Sequence, residues 1–236
     1  MTPLERAVIQ ELSPRGYVRA ASWTFTSPWS NDEVAHFVRV KVYGYGSARR
    51  AQHYASFECG FRNRNVDVFA LEMLEKYGGQ GYSGIFDEHA SSPVWYAAIV
   101  YILDDLVRHK PFQIEVYKME IPEAARAIGE AIDQRTPQIL KNITNLTVLL
   151  EVLTSTDPLF RPTNGAMRAA QIAYLSAQLG RDEMETRSKL LSLEPLISGN
   201  LTGRMNWSEE VKEEALQSYV SNVLREAYSR WPMRSS

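Results

Sequence analysis

Two stretches decide how this chain reads: Val34-Ala35-His36-Phe37-Val38-Arg39-Val40-Lys41-Val42-Tyr43 and His53-Tyr54-Ala55-Ser56-Phe57-Glu58-Cys59-Gly60-Phe61. A strand turns successive side chains to opposite faces, so a period of two marks a half-buried strand. In the first stretch His36, Val38, Val40 and Val42 fall on one face, and Phe37, Arg39, Lys41 and Tyr43 on the other. In the second, Ala55, Phe57, Cys59 and Phe61 share a face opposite Tyr54, Ser56 and Glu58. Gly44, Gly46 and Ser47 break the run between them, as a hairpin connection requires.

Toward the N-terminus, 17–25 is rich in aromatic and β-branched residues and predicts a first strand. Before it, Thr2-Pro3-Leu4-Glu5 has the makings of a helix start: a capping hydroxyl, proline in the first turn and a glutamate reaching back. Pro14 and Gly16 end that helix. Toward the C-terminus, 66–77 predicts a helix leading into Gly78-Gly79-Gln80-Gly81-Tyr82-Ser83-Gly84, and 112–119 alternates as a strand would. The apolar run from Val94 to Leu103 is ambiguous by period; its length favours a helix over 94–108. Beyond Pro122, helical spacing recurs over 121–132, 137–153, 165–179, 183–191 and 208–231. The fold class is therefore α+β: an N-terminal helix and an antiparallel sheet of three to four strands, then a C-terminal helical bundle. The expected division is a 1–120 α+β region and a 121–236 all-α region, packed as one globular unit.

Composition limits the function. With 44 % hydrophobic and 23 % charged residues in 236, the chain falls in the ordinary globular class, not among disordered or collagen-like ones. Its 26 Lys+Arg against 28 Asp+Glu exclude a grossly basic nucleic-acid protein while leaving room for a local basic patch. One cysteine precludes an internal disulfide and fits a reducing compartment. Met1 to Arg6 lacks the charged start and apolar core of a signal peptide, and the ten-residue apolar run is half of a spanning helix. The expected place is the cytoplasm, with no membrane association, and the four Asn-x-Ser/Thr sequons read as chance matches.

The strongest local signal lies between Arg39 and Arg64, where Arg39, Lys41, Arg49, Arg50, Arg62 and Arg64 face one acid, Glu58. Tyr43, Tyr45, Tyr54, Phe57 and Phe61 are interleaved with them. Cations among aromatics on a sheet can receive an acidic protein surface by electrostatic steering, or hold phosphates and stack bases. The plainer account is a solvated face on which Glu58 pairs across strands with Arg39 or Lys41. Because no nucleic-acid motif accompanies the charge, an acidic protein partner is the favoured ligand. The expected partner-binding residues are Arg39, Lys41, Tyr43, Tyr45, Arg49, Arg50 and Trp29.

A second group is Asp87-Glu88-His89 with Asp104, Asp105 and His109. On a helix over 94–108, Asp105 and His109 would share a face, and carboxylates with imidazoles can bind a divalent metal. No HExxH or cysteine pair enforces their convergence, and a loop plus an ion pair at a helix end explains them equally. The glycine loop lacks the Gly-Lys-Ser/Thr ending of a phosphate cradle. Cys59 with His53 or His36 would make a nucleophile and base, yet all three fall on core faces in this register. No cofactor is expected, and no constellation argues for an enzyme.

The order of elements carries a resemblance. A helix running into Gly16-Tyr17, the strand Trp23-Thr24-Phe25, the strands 37–43 and 53–61, and helices ending in Ala169–Leu179-Gly180 resemble bacterial domain-of-unknown-function proteins, some of them immunity-protein-like within polymorphic toxin systems. The resemblance covers 1–190 as architecture and supplies no catalytic residues. It implies a bacterial cytoplasmic protein-binding module, non-catalytic, of the toxin-neutralising immunity kind. The alternative is a metal-dependent hydrolase or nucleic-acid-processing enzyme using Asp87, His89, Asp105 and His109.

Overall fold

The computed structural model describes residues 1–45, 52–78, 98–101, 103–105, 110–136, 142–156, 160–162, 165–193 and 209–231. They show the α+β class read from the sequence, an N-terminal helix and an antiparallel sheet followed by helices. By compactness the chain divides into two units, 1–61 with 99–144 and 62–98 with 145–236. No helix among the described residues is long and apolar enough to cross a membrane.

In the first unit α1 (Pro3–Leu12) starts as its sequence demands: Thr2 Oγ1 accepts the Glu5 N–H at 3.1 Å and Pro3 occupies the first turn. Val8 and Leu12 bury its apolar stripe. A 3-10 turn (Ser13–Arg15) closes on Gly16, whose φ of 84° is the left-handed conformation that glycine adopts without strain. The expected single strand over 17–25 is instead a hairpin of β1 (Val18–Ala21) and β2 (Thr24–Thr26). Trp23 sits in its tight turn at φ 55°. Glu5 explains why a tryptophan tolerates that backbone: its carboxylate accepts from the Trp23 N–H at 3.3 Å, the Ser22 hydroxyl at 3.2 Å and Arg19 Nη2 at 3.1 Å. β3 (Ala35–Tyr45) and β4 (Gln52–Arg62) follow, in the order β1-β2-β3-β4-β5, with β5 spanning Ala98–Tyr101.

The alternation holds as far as Val40, but Val42, expected on the core face, is exposed. His36, Val38 and Val40 of β3 and Ala55, Phe57, Cys59 and Phe61 of β4 are buried, while Arg39, Lys41 and Tyr43 are half-exposed. Phe37 is buried too, and Glu58, expected on the solvated side, is only 3 % exposed. His53 is exposed, not a core position. α3 (Ile121–Arg135) lies against α1 and buries Ala124, Ala125, Ile128 and Ile132, and Arg15 ties the two helices by bonding both Glu11 and Asp133.

The helix expected over 94–108 is not formed. Its described parts are β5 and β6 (Leu103–Asp105), the latter paired antiparallel with β7 (Lys110–Pro111). Val94, Ile99, Val100 and Ile102 are β-branched and Trp95, Tyr96 and Tyr101 aromatic, and such side chains suit a pleated surface better than a helix. The expected strand over 112–119 reduces to a bridge between Ile114 and Ala55 and then a 3-10 turn (Val116–Lys118).

In the second unit α5 (Gly165–Gln178) is central, with Gly165 through Ala177 all buried. Ala166, Ala169, Ala170 and Ala173 let neighbours approach closely. Around it stand α2 (Arg64–Tyr77), α4 (Leu146–Thr154), α6 (Glu183–Ser192) and α7 (Glu209–Arg230). Side chains cap three of them: Asn63 accepts from Asn65 and Val66, Asn145 from Val148, and Asp182 from Glu185. The helix expected over 137–153 begins, among the described residues, only after Asn145; 137–141 lie outside them. A three-residue strand, β8 (Phe160–Pro162), precedes α5.

Candidate functional site

The outward face of β3 and β4 brings together three of the sequence-predicted residues. Arg39 and Lys41 protrude two residues apart on β3, and Glu58 of β4 pairs with both: Arg39 Nη1 lies 3.5 Å from Oε1, and Lys41 Nζ contacts Oε2. The cations thus share one nearly buried carboxylate. This is the cross-strand pairing that the alternation allowed, and it reduces the charge of the trio to a single positive excess.

Further along the same face, Tyr43 stacks on Tyr54 with ring centroids 6.2 Å apart and planes 20° from parallel. Tyr54 in turn meets the edge of Tyr117 at 5.4 Å. All three rings are half-exposed. Partial burial of the hydroxyl, then its contact with Tyr117, holds the Tyr54 phenol above its ordinary pKa. At the far end Lys118 lies over the Tyr117 ring, 5.4 Å from its centroid, and bonds Glu115 at 2.6 Å. That bond raises the Lys118 ammonium pKa and lowers that of the Glu115 carboxyl. The result is a row of three tyrosines with fixed cations at each end.

The partner-binding residues expected from the sequence include Tyr43 but not Tyr117 or Lys118, which lie in the segment 112–119 expected as a strand. The usable signal was Glu115-x-Tyr117-Lys118 after an alternating stretch. Trp29 lies in the β2–β3 connection and packs edge-on against Tyr17 at 6.0 Å. Tyr45 ends β3, and its side chain lies outside the described residues, as do Arg49 and Arg50.

Of the metal-ligand candidates, Asp87, His89 and His109 lie outside the described residues. Asp104 and Asp105 belong to strand β6, so the helical spacing that aligned Asp105 with His109 does not apply. Among the described residues no three His, Cys, Asp or Glu side chains converge as metal ligands would. Burial pushes the Cys59 thiol up to about 12, where it is not a thiolate at neutral pH. His36 is buried, its Nε2 donating to the Ile143 carbonyl at 2.7 Å, and burial lowers its pKa so that the ring stays neutral. Against protein-family models, characterised proteins and solved structures, the chain shows no match.

Proposed function

We propose that the protein is a non-catalytic protein-binding module of the cytoplasm that engages its partner through the β3–β4 face. The observation that carries this reading is the half-exposed row Tyr43–Tyr54–Tyr117 flanked by Arg39, Lys41 and Lys118. Tyrosine gives large contact area with two rotatable bonds, so little conformational freedom is lost on binding. Aromatic and arginine side chains dominate the energetics of protein interfaces. Glu58 already holds Arg39 and Lys41 in place, which reduces the ordering cost further. The single positive excess of that trio favours a partner with a modestly acidic surface over a polyanion such as nucleic acid. The resemblance noted from the sequence supports a toxin as that partner.

The test is capture of a stoichiometric protein from the source lysate by the full chain, at low and high salt. Tyr117→Ala and a Tyr43→Ala/Tyr54→Ala pair are the variants. Each is expected to weaken capture by about tenfold or more, a loss of roughly 1.4 kcal/mol, with an unchanged unfolding midpoint for Tyr117→Ala. Undiminished capture by every variant, or nucleic acid as the sole bound species, would remove this face from consideration.

A further inference from the structure

We infer that the second unit carries a separate site for a short zwitterionic peptide, in the cavity between α4, α5 and α6. It is a groove open to solvent, with a volume of about 470 Å3, within the usual range for small-ligand sites of roughly 300–1,000 Å3. Buried Leu150 of α4 and Ile172 of α5 give it an apolar wall. Four exposed charged side chains of both signs line it as well: Glu151 on α4, Arg181 in the α5–α6 turn, and Glu185 and Lys189 on α6.

Among the described residues none of these four forms a salt bridge. Glu185 and Lys189 are four apart with the acid first, the order that favours pairing along a helix, yet they stay open. Elsewhere in this unit exposed pairs do close, as Lys76 with Glu226 at 2.6 Å and Arg230 with Glu72 at 2.8 Å. Unpaired charges of both signs around one apolar wall suit a ligand that brings one of each.

Spacing sets the ligand's length. Residues four apart on a helix are about 5–6 Å apart at Cβ. One extended residue reaches only about 3.5 Å, whereas two reach about 7 Å. A dipeptide thus places its ammonium at Glu185, its carboxylate at Lys189 and an apolar side chain on Leu150 and Ile172, with Glu151 and Arg181 lining the rest of the site. Ser176, 4 % exposed on the same wall, makes no side-chain hydrogen bond among the described residues and has its hydroxyl to offer the peptide group. Thr186 is held by the Asp182 carbonyl at 2.8 Å and the Tyr228 hydroxyl at 3.0 Å, so this side of the cavity is preformed.

Calorimetric titration of the full chain with leucyl-alanine tests the assignment, alongside its N-acetyl form, its C-terminal amide and free leucine. One-site binding of leucyl-alanine is expected, about tenfold weaker for each capped form and for leucine. Lys189→Gln is expected to erase the preference for the free carboxylate over the amide, and Glu185→Gln that for the free amine over the acetylated form. Both positions are exposed, so the unfolding midpoint of the unliganded protein should not move. No saturable binding up to about 10 mM, equal binding of the capped forms, or unchanged preferences in both variants would each overturn the site.

Discussion

At the scale of single residues, two nearly buried acids show opposite ways of holding a carboxylate. Glu58 sits under Arg39 and Lys41, and removing it leaves two cations side by side above an emptied position. Glu58→Ala is expected to cost about 1–3 kcal/mol in urea unfolding, given that its partners are half-exposed. Wild-type stability measured with Glu58→Ala would show that solvent alone screens the pair. Asp67 of α2 is 2 % exposed; its Oδ1 accepts from Gln171 Nε2 at 3.1 Å, and Oδ2 faces Arg62 Nε at 3.1 Å. Burial pushes its carboxyl up to about 8, against the opposing pull of Arg62 and Gln171. An unfolded aspartate titrates near about 4. Between those values the native state keeps a proton that the unfolded chain has released, so the stability contributed below pH ~4 declines as pH rises toward about 8. Asp67→Asn should flatten this decline in unfolding midpoints measured across that window. An unaltered slope would mean that Asp67 remains ionised beside Arg62.

Elements repeat the lesson at longer range. Gly129 lets α3 come close to α1: a Cβ there would lie 2.9 Å from Glu11 Cγ and 3.2 Å from Arg15 Cζ. Gly129→Leu is expected to disturb the Arg15 bridge and cost about 1–3 kcal/mol by thermal unfolding, with Gly129→Ala closer to neutral because alanine favours helix. Equal midpoints for glycine and leucine would show that the Glu11 and Arg15 side chains simply step aside. The first helix with its Thr2 cap, and β3 and β4 with their period of two, were legible because each signal is local, whereas the cap at Asn145 lies inside the helix expected over 137–153. The 94–108 segment was misread because a continuous apolar run carries no period, and only its β-branched and aromatic content distinguished strand from helix. Glu58 illustrates a different limit. Alternation placed it correctly on the Arg39 side, but a side chain's depth depends on what covers it, which no single strand encodes. The tyrosine row was half-legible for the same reason: Tyr43 and Tyr54 belong to neighbouring strands, whereas Tyr117 arrives from more than 50 residues away.

At the scale of the whole chain, each compact unit is assembled from two separated segments. The packing of the second unit depends on α2, where Phe69 meets Tyr174 at 4.9 Å and Asp67 meets Gln171. A fragment of residues 121–236 therefore lacks the helix that covers one side of α5. It is expected to show helical circular dichroism without a sharp melting transition, and a synthetic 62–78 peptide added in trans should sharpen it. Cooperative melting of the fragment alone would show that α5 tolerates an uncovered flank.

The same interleaving has a cost during synthesis. The first unit, begun by residues 1–61, cannot be completed until residue 144 has left the ribosome. Meanwhile α2 has emerged, with Phe69 and Met73 made to be buried and α5 not yet translated. At about 5–20 residues per second that exposure lasts on the order of 5–20 s. The nascent chain is thus most in need of a chaperone at α2, and a translational pause just before α5 would lengthen the hazard.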